Sequence, residues 1–280
     1  MLGNRQQAGA PELPHAPASA PPRAVASVLS DHLLVTWYGN PRTPRMGVLG
    51  RYSGAGLAAG LRKQAKVYER LTSKKVVAAY HLVAVIAQPP SWRGGLCRRR
   101  ETHETIAALV EQAHANDFKL ILDVQRGWST VAAELEYLRP HLEDPDVYLA
   151  LDPEFAMRGG ERPGSKIGRM SAAEVNDAID FLERIVRERK LPPKVLIVHQ
   201  FTMSMLADKK NIRQSPLVDV VLMMDGFGDR PLKRAIYGAV IRQGPLEFAG
   251  IKLFYKEDTN LFAAADVMAL KPEPAVVIYQ

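Results

Sequence analysis

Short apolar runs recur along the chain from His32 to its end, each separated from the next by a polar or helix-patterned stretch. They cover residues 33–38, 76–87, 120–124, 147–151, 195–198, 218–224, 248–254 and 275–279. Runs that stay apolar, without alternating polar positions, are typical of parallel strands that are covered on both faces. The pattern therefore predicts eight buried strands.

The stretches between these runs have helical spacing. Residues 104–115 place Ile106, Leu109 and Ala113 on one helix face, and Ser171 with Glu174 forms a capping box ahead of an apolar stripe. A strand followed by a helix, repeated eight times, predicts an α/β fold of the (β/α)8 TIM barrel type. A doubly wound open sheet is the alternative.

The first 27 residues are rich in proline and alanine, a composition that cannot bury enough apolar surface to fold alone. We therefore expect a disordered tail or linker over residues 1–27 and one barrel domain over residues 28–280, which suits the roughly 250 residues of such barrels. Linkers of this composition follow a removed signal or lipid anchor in exported bacterial proteins. We expect an exported or cell-envelope protein.

Composition narrows the range of partners. No run approaches the roughly 18 apolar residues of a membrane-spanning helix. The net charge of +7 arises from basic residues spread along the chain, and Arg98–Arg100, the one tight basic run, is expected to be a solvated loop. We predict no nucleic-acid partner, and the oligomeric state is open. The chain shows neither a glycine-rich phosphate loop nor a clustered Cys/His motif, so we also predict no cofactor and no metal.

Polar and aromatic residues fall at the ends of the apolar runs. In a barrel the C-terminal ends of the strands face the active site. The candidates are Trp37, Tyr38, His81, Asp123, Gln125, Asp152, Glu154, His199, Gln200, Asp225, Lys252 and Tyr255. Because side chains alternate along a strand, Asp152 and Glu154 are expected to share one face, as are Asp123 and Gln125. Several carboxylates would then converge at one mouth.

Converging carboxylates suit the hydrolysis of glycosidic bonds, which needs a carboxylic acid to protonate the leaving oxygen and a second carboxylate to attack or to activate water. Repulsion between them raises the pKa of one. We predict Glu154 as the acid, Asp225 or Asp123 as the second carboxylate, and Asp152 as the group that tunes Glu154. The residues predicted to bind the carbohydrate substrate are Trp37, Tyr38, Tyr255, His81, Gln125, His199, Gln200 and Lys252.

Other interpretations of the same residues stay open. Asp123 and Asp225 could cap turns, and His81 and His199 could be core histidines. The chain could be a noncatalytic glycan-binding envelope protein that keeps only the barrel. It could also be an aldolase or lyase that forms a Schiff base on Lys252.

The ending Asp152-Pro153-Glu154 resembles the Asp-x-Glu strand ending of barrel glycoside hydrolases such as family 18 chitinases and family 25 lysozymes, and Ala79-Tyr80-His81 is loosely similar to a strand of the latter. The upstream Asp residues of the chitinase signature are replaced by apolar residues. From Val35 onward the chain resembles a family of bacterial exported or lipoprotein-like proteins, through residues 37–41, 151–155, 198–201 and 251–255. That resemblance implies a barrel and a cell-envelope location, and it implies no particular reaction.

Overall fold

The computed structural model describes residues 26–90, 95–242 and 247–280. Its centre is a closed barrel of eight parallel strands: β1 (His32–Gly39), β2 (Lys75–Ala87), β3 (Lys119–Val124), β4 (Val147–Leu151), β5 (Lys194–Gln200), β6 (Val218–Met224), β7 (Phe248–Leu253) and β8 (Val276–Tyr279). Each strand pairs with the next in the chain, and β1 also pairs with β8 through Leu34 and Val276. The (β/α)8 prediction is confirmed, since an open sheet would leave two free edges.

Helix α1 (Val28–Asp31) lies at the lower end of the barrel, and the other helices cover its outside. These are α2 (Gly54–Lys66), α3 (His103–His114), α4 (Val131–Leu142), α5 (Ala172–Arg189), α6 (Arg230–Ile241) and α7 (Ala264–Met268). The link from β5 to β6 departs from the predicted repeat: it consists of 3-10 helices Met203–Met205 and Lys209–Asn211 with a short strand, Leu206–Ala207. Asp208 in this link is left-handed (φ 55°), a conformation that a continuous α-helix excludes.

Helix α5 begins with the predicted capping box. The Ser171 side chain accepts a hydrogen bond from the Glu174 backbone N–H, and the Glu174 carboxylate accepts one from the Ser171 N–H at 2.9 Å. Behind this cap the predicted apolar stripe is buried against the barrel. The start of α5 was therefore readable from four residues.

Each strand divides its side chains between two cores. In β1, Leu33, Val35 and Trp37 belong to the layer between strands and helices, whereas Leu34 and Tyr38 belong to the barrel interior. The same alternation holds around the barrel because every strand has one face toward the axis. A residue at the end of a strand therefore reaches the mouth of the barrel only if it shares the parity of the interior positions.

The lower end of the barrel is closed by the segment before β1. Leu29 is fully buried in the interior core, and the Ser27 hydroxyl donates to Asp219. The folded domain thus includes Ser27, one residue earlier than predicted. Residues 1–25 of the predicted tail lie outside the described residues.

Arg98–Arg100 is not the solvated loop that the sequence suggested. It forms a short strand antiparallel to β2, and its guanidinium groups pair with the buried carboxylates of Glu134 and Glu101. The basic run therefore has a structural role at the rim of the barrel. In the described part of the chain, the helices all lack the length and apolarity that crossing a bilayer requires.

Candidate active site

Four titratable side chains meet at the centre of the barrel, just above its apolar interior. His81 of β2, Asp123 of β3 and His199 of β5 occupy inward positions, and Asp225 directly follows β6. We call these four residues the floor cluster. His81 Nε2 donates to Asp123 Oδ2 at 3.2 Å, and His199 Nε2 lies 3.3 Å from the same oxygen. His199 Nδ1 lies 3.2 Å from Asp225 Oδ2, so the four side chains form a continuous series of contacts from His81 to Asp225.

Burial and the neighbouring charges shift the pKa values of the two histidines in opposite directions. Burial lowers the pKa of His81 to about 4, against the opposing effect of Asp123. Burial alone would also lower the pKa of His199, but Asp123 and Asp225 outweigh it and raise that pKa to about 10. Burial would raise the pKa of Asp123, yet the two histidines hold it well below its usual range. At neutral pH these directions give a charged His199 beside an ionised Asp123 and a neutral His81.

The floor cluster is poorly satisfied by hydrogen bonds. Within the described part of the chain, five of its buried atoms have no hydrogen-bond partner: His81 Nδ1, Asp123 Oδ1, Asp225 Oδ1 and both ring nitrogens of His199. The short distances from His199 to the two carboxylates are close ion pairs, although their angles are not those of hydrogen bonds. Buried polar atoms are rarely left in this state unless they serve a ligand or a reaction.

A cavity of about 720 Å³ opens above the floor cluster. Three carboxylates line it, from Asp152, Glu154 and Asp225, together with the ammonium group of Lys252. The rest of the wall is largely apolar or aromatic and includes Met46, Ile86, Phe155, Phe201, Phe227 and Phe254. A few polar groups converging in a mainly apolar cleft are typical of small-molecule and glycan sites.

Asp152 and Glu154 reach this cavity by different routes. Strand β4 ends at Leu151, and Asp152 caps the 3-10 helix Pro153–Phe155, with Oδ1 accepting from the Glu154 N–H at 3.1 Å. The prediction that Asp152 and Glu154 alternate along a strand is therefore wrong, because Glu154 lies in a 3-10 helix after the strand has ended. Both side chains still line the same cavity.

The carboxyl groups of Asp152 and Glu154 both hold protons more firmly than usual. Burial, together with the charge of Asp123 and Asp225, raises the pKa of Asp152 to about 8. Burial and the charge of Asp225 also raise the pKa of Glu154, while Lys252 and His199 act against this. Asp152 is held by Gln125 Nε2, which donates to its Oδ2 at 3.3 Å, whereas Glu154 is half-buried and faces the cavity. Glu154 is thus the more accessible of the two.

Tyr38 forms part of the wall between the floor cluster and Lys252. Its ring lies 5.0 Å from that of His81, centroid to centroid, and Lys252 Nζ lies 3.6 Å from the Tyr38 ring centroid. Gln125 donates to the Tyr38 hydroxyl at 3.4 Å. Burial, reinforced by the surrounding carboxylates, raises the pKa of Tyr38 well above its usual value. Tyr38, Gln125 and Lys252 therefore line the same cavity.

Three predicted substrate-binding residues lie elsewhere. Trp37 has the outward parity and packs against Gly60 of α2. Gln200 also faces outward, where its Oε1 accepts from Lys209 Nζ at 3.0 Å. Tyr255 stacks on Tyr279 and donates to Gln64, outside the residues that line the cavity. We therefore withdraw these three from the substrate-binding set.

Three further predicted roles need correction because of burial. Asp123, His81 and His199 are buried and do not line the cavity, so none of them can touch a glycan directly. Asp123 is thereby removed as the second carboxylate, and His81 and His199 as partners of sugar hydroxyls. All three instead support Asp225 from below. The interpretation of Asp225 as a simple turn cap is also disfavoured, since its Oδ1 has no partner among the described residues.

The aromatic wall escaped the sequence analysis. Phe155, Phe201 and Phe227 lie one to four residues after the end of a strand, and therefore outside the apolar runs that predict the strands. Phe227 is 61% exposed and meets Phe254 edge to face at 6.0 Å between centroids. The signal in the sequence is an aromatic residue within four positions of the end of an apolar run, which all three share.

Two groups in the described part of the chain could hold a metal ion, although the sequence predicted none. One is His81 with Asp123 and His199, all buried, and the other is His114 with Asp144 and Asp146, at the surface. In each group three potential ligand atoms lie within 4.8 Å of one another. The sequence search for local ligand motifs could not find the first group, because its members come from three different strands.

Comparison with known proteins adds a structural likeness. No protein-family model and no curated protein matches the sequence. Among solved structures, the chain is similar to a GH5-4 broad specificity endoglucanase from Clostridium longisporum, with a TM-score of 0.48 and 10% identity over 92% of this chain and 89% of that chain. We therefore infer the function from the geometry of the cavity.

Proposed function

We propose that this barrel is a glycoside hydrolase that cleaves glycosidic bonds in a polysaccharide or cell-envelope glycan. Glu154 would be the general acid and Asp225 the carboxylate that attacks the sugar or activates water. The observation that carries the proposal is that both carboxyl groups line one cavity, where burial and the charge of Asp225 raise the pKa of Glu154. A carboxylic acid with a raised pKa, together with a second carboxylate in the same cavity, is the pair that this reaction requires.

The remaining cavity residues suit a sugar chain. The exposed ring of Phe227 and the neighbouring Phe201 offer apolar faces to the C–H side of a pyranose, in place of the withdrawn Trp37 and Tyr255. Lys252 supplies hydrogen-bond donors for hydroxyl groups, whereas both N–H groups of Gln125 are used to hold Asp152 and Tyr38. The cavity thus combines stacking surfaces with the two acid–base groups.

The supporting contacts explain how Asp225 is positioned. His199 lies beside Asp225 on one side and Asp123 on the other, and Asp123 is itself held by His81. The His199 imidazole, with Nδ1 3.2 Å from Asp225 Oδ2, holds that carboxylate in place at the cavity. Asp123 and His81 thus contribute as positioning residues.

The test is hydrolysis of a panel of bacterial and plant polysaccharides, including cell-envelope glycans, by the wild type, Glu154→Gln and Asp225→Asn. We expect each substitution to lower turnover by about 10²–10⁴-fold, the usual contribution of a positioned acid or base. Glu257→Gln is the matched control, because it removes an exposed carboxylate at the same end of the barrel. Unchanged turnover in Glu154→Gln would remove Glu154 from the mechanism.

Other results would favour the alternative functions. Glycan binding without product release from any substrate would indicate a noncatalytic glycan-binding protein. Borohydride trapping of a carbonyl substrate on Lys252 would indicate the aldolase or lyase class. The panel and the trapping experiment together separate the three functions.

A further inference from the structure

We propose that His81, Asp123 and His199 bind a divalent first-row transition ion, zinc above all, directly beneath the floor of the cavity. The three ligand atoms are His81 Nε2, His199 Nε2 and Asp123 Oδ2. They come from β2, β5 and β3, whose backbones are fixed by the barrel. Two imidazoles with one carboxylate form a ligand set that zinc and its neighbours in the first row accept.

The spacing of these atoms fits a tetrahedral ion. Ligand atoms about 2.0–2.1 Å from zinc stand roughly 3.3–3.4 Å apart in a tetrahedron. Asp123 Oδ2 lies 3.2 Å from His81 Nε2 and 3.3 Å from His199 Nε2, and all three atoms lie within 4.8 Å of one another. The ion would take the place of the Nε2 protons of both His81 and the charged His199, which are released on binding, and each ring would keep its proton on Nδ1.

The unsatisfied atoms of the cluster point to the same conclusion. His199 lies close to two carboxylates but has no hydrogen bond of its own within the described part of the chain, and it is almost fully buried. A metal ion would give His199 Nε2 and Asp123 Oδ2 a common partner.

Asp225 completes the arrangement from outside the ion's ligands. Its Oδ2 lies 3.2 Å from His199 Nδ1, the ring nitrogen that faces away from Asp123. Metal-bound histidines usually donate this second N–H to a carboxylate, which fixes the ring orientation. Since Asp225 also lines the cavity, the ion site adjoins the space that would hold a substrate.

The second histidine–carboxylate group differs in its burial and in its hydrogen-bond partners. His114, Asp144 and Asp146 lie at the surface, and their groups are already partnered: Asp144 accepts from the Asp146 N–H at 2.9 Å, and Asp146 pairs with Lys119. We therefore expect weak metal binding there. This group provides the matched control for the buried site.

The experiment starts from the full chain stripped with a chelator, then loaded with zinc or cobalt chloride and dialysed. We expect about one equivalent of metal to remain in the wild type and in His114→Gln, and this equivalent to be lost in His199→Gln and Asp123→Asn. Asp225→Asn should weaken binding by about 10–100-fold, as removal of a carboxylate behind a histidine ligand does. X-ray absorption on the zinc-loaded wild type should show two imidazole ligands, a readout that needs no variant to fold.

Three results would overturn the proposal: no equivalent retained by the wild type, retention lost in His114→Gln but kept in His199→Gln, or an absorption spectrum without imidazole. The outcome is independent of the proposed function, because metal retention is measured without glycan. Retained metal without hydrolysis would contradict only the hydrolase. Hydrolysis by a protein that retains no metal would contradict only the metal site.

Discussion

Two groups of buried charges lie at the same end of the barrel and differ in how well they are satisfied. The first, which we call the paired cluster, consists of Lys233 and Asp258. Lys233 Nζ donates to Asp258 at 2.9 Å and to the Gly226 carbonyl at 2.8 Å, and Asp258 also accepts from the backbone N–H groups of Gly228 and Phe254. The second is the floor cluster, five of whose buried atoms lack partners among the described residues.

The comparison shows that buried charge alone does not mark a functional site. Lys233 and Asp258 are as buried as the floor residues, but their hydrogen bonds connect the loops that follow β6 and β7. Among the described residues, the floor cluster has no such bonds to loop backbone, and its unpartnered oxygens and ring nitrogens face an ion or a reacting group instead. Unsatisfied atoms, rather than burial, separate the two.

The largest effect we expect is on stability, from Asp258→Asn. The amide would present an N–H group to donors that now meet a carboxylate, and Lys233 would keep a buried charge without its counterion. We expect the free energy of unfolding to fall by about 3–5 kcal/mol, the usual cost of breaking a buried pair. Denaturant unfolding in the presence of a chelator measures it.

The same substitution in the floor cluster should have a much smaller effect. Asp225→Asn removes one of several carboxylates around His199 and Lys252, so lost attraction is offset by relieved repulsion toward Glu154. We expect a change in the free energy of unfolding within about 1 kcal/mol. If Asp225→Asn were as destabilising as Asp258→Asn, the floor cluster would be a structural network and the comparison would fail.

Much of the fold was predictable because the barrel repeats a simple pattern. Eight apolar runs correspond to the eight strands, and the capping box at Ser171 marks the start of α5. The missing helix between β5 and β6 was not foreseen, because apolar runs locate strands but say little about the link between them. Arg98–Arg100 was misinterpreted for a related reason: its carboxylate partners, Glu101 and Glu134, include one from a separate helix.

The candidate site was predictable in position but not in orientation. Adjacent residues at a strand end, such as Trp37 and Tyr38, must face opposite sides, and an apolar run that is buried on both faces does not show which side is inward. His199 and Gln200 posed the same choice. Gln200 was misassigned because its partner Lys209 lies in the irregular link after β5. Which side chains of a strand point into the barrel is therefore known only from the structure of the closed barrel.

The smallest effect we expect concerns the two buried lysines and the pH dependence of hydrolysis. The charge of Lys233 is countered by Asp258, whereas Lys252 contacts the Tyr38 and Phe254 rings and has no ion pair among residues 26–90, 95–242 and 247–280.

Lys252 therefore acts on Glu154 and lowers its pKa, as His199 does, while burial and Asp225 raise it. Asp152 lies beside Glu154 and is held by Gln125. Because the general acid works while protonated, hydrolysis should fall as pH rises through the pKa of Glu154.

Removing the Lys252 charge with Lys252→Met should raise the pKa of Glu154, so its protonated form would persist further into the alkaline range. We expect the alkaline limb of the kcat/KM profile to move to higher pH. Lys256→Met, which removes an exposed lysine four residues away, should leave the limb in place. A limb that moves to lower pH, or that shifts equally in both variants, would mean that Glu154 is not the group whose protonation limits the reaction. In that case Asp152, whose pKa is raised to about 8, would become the candidate acid.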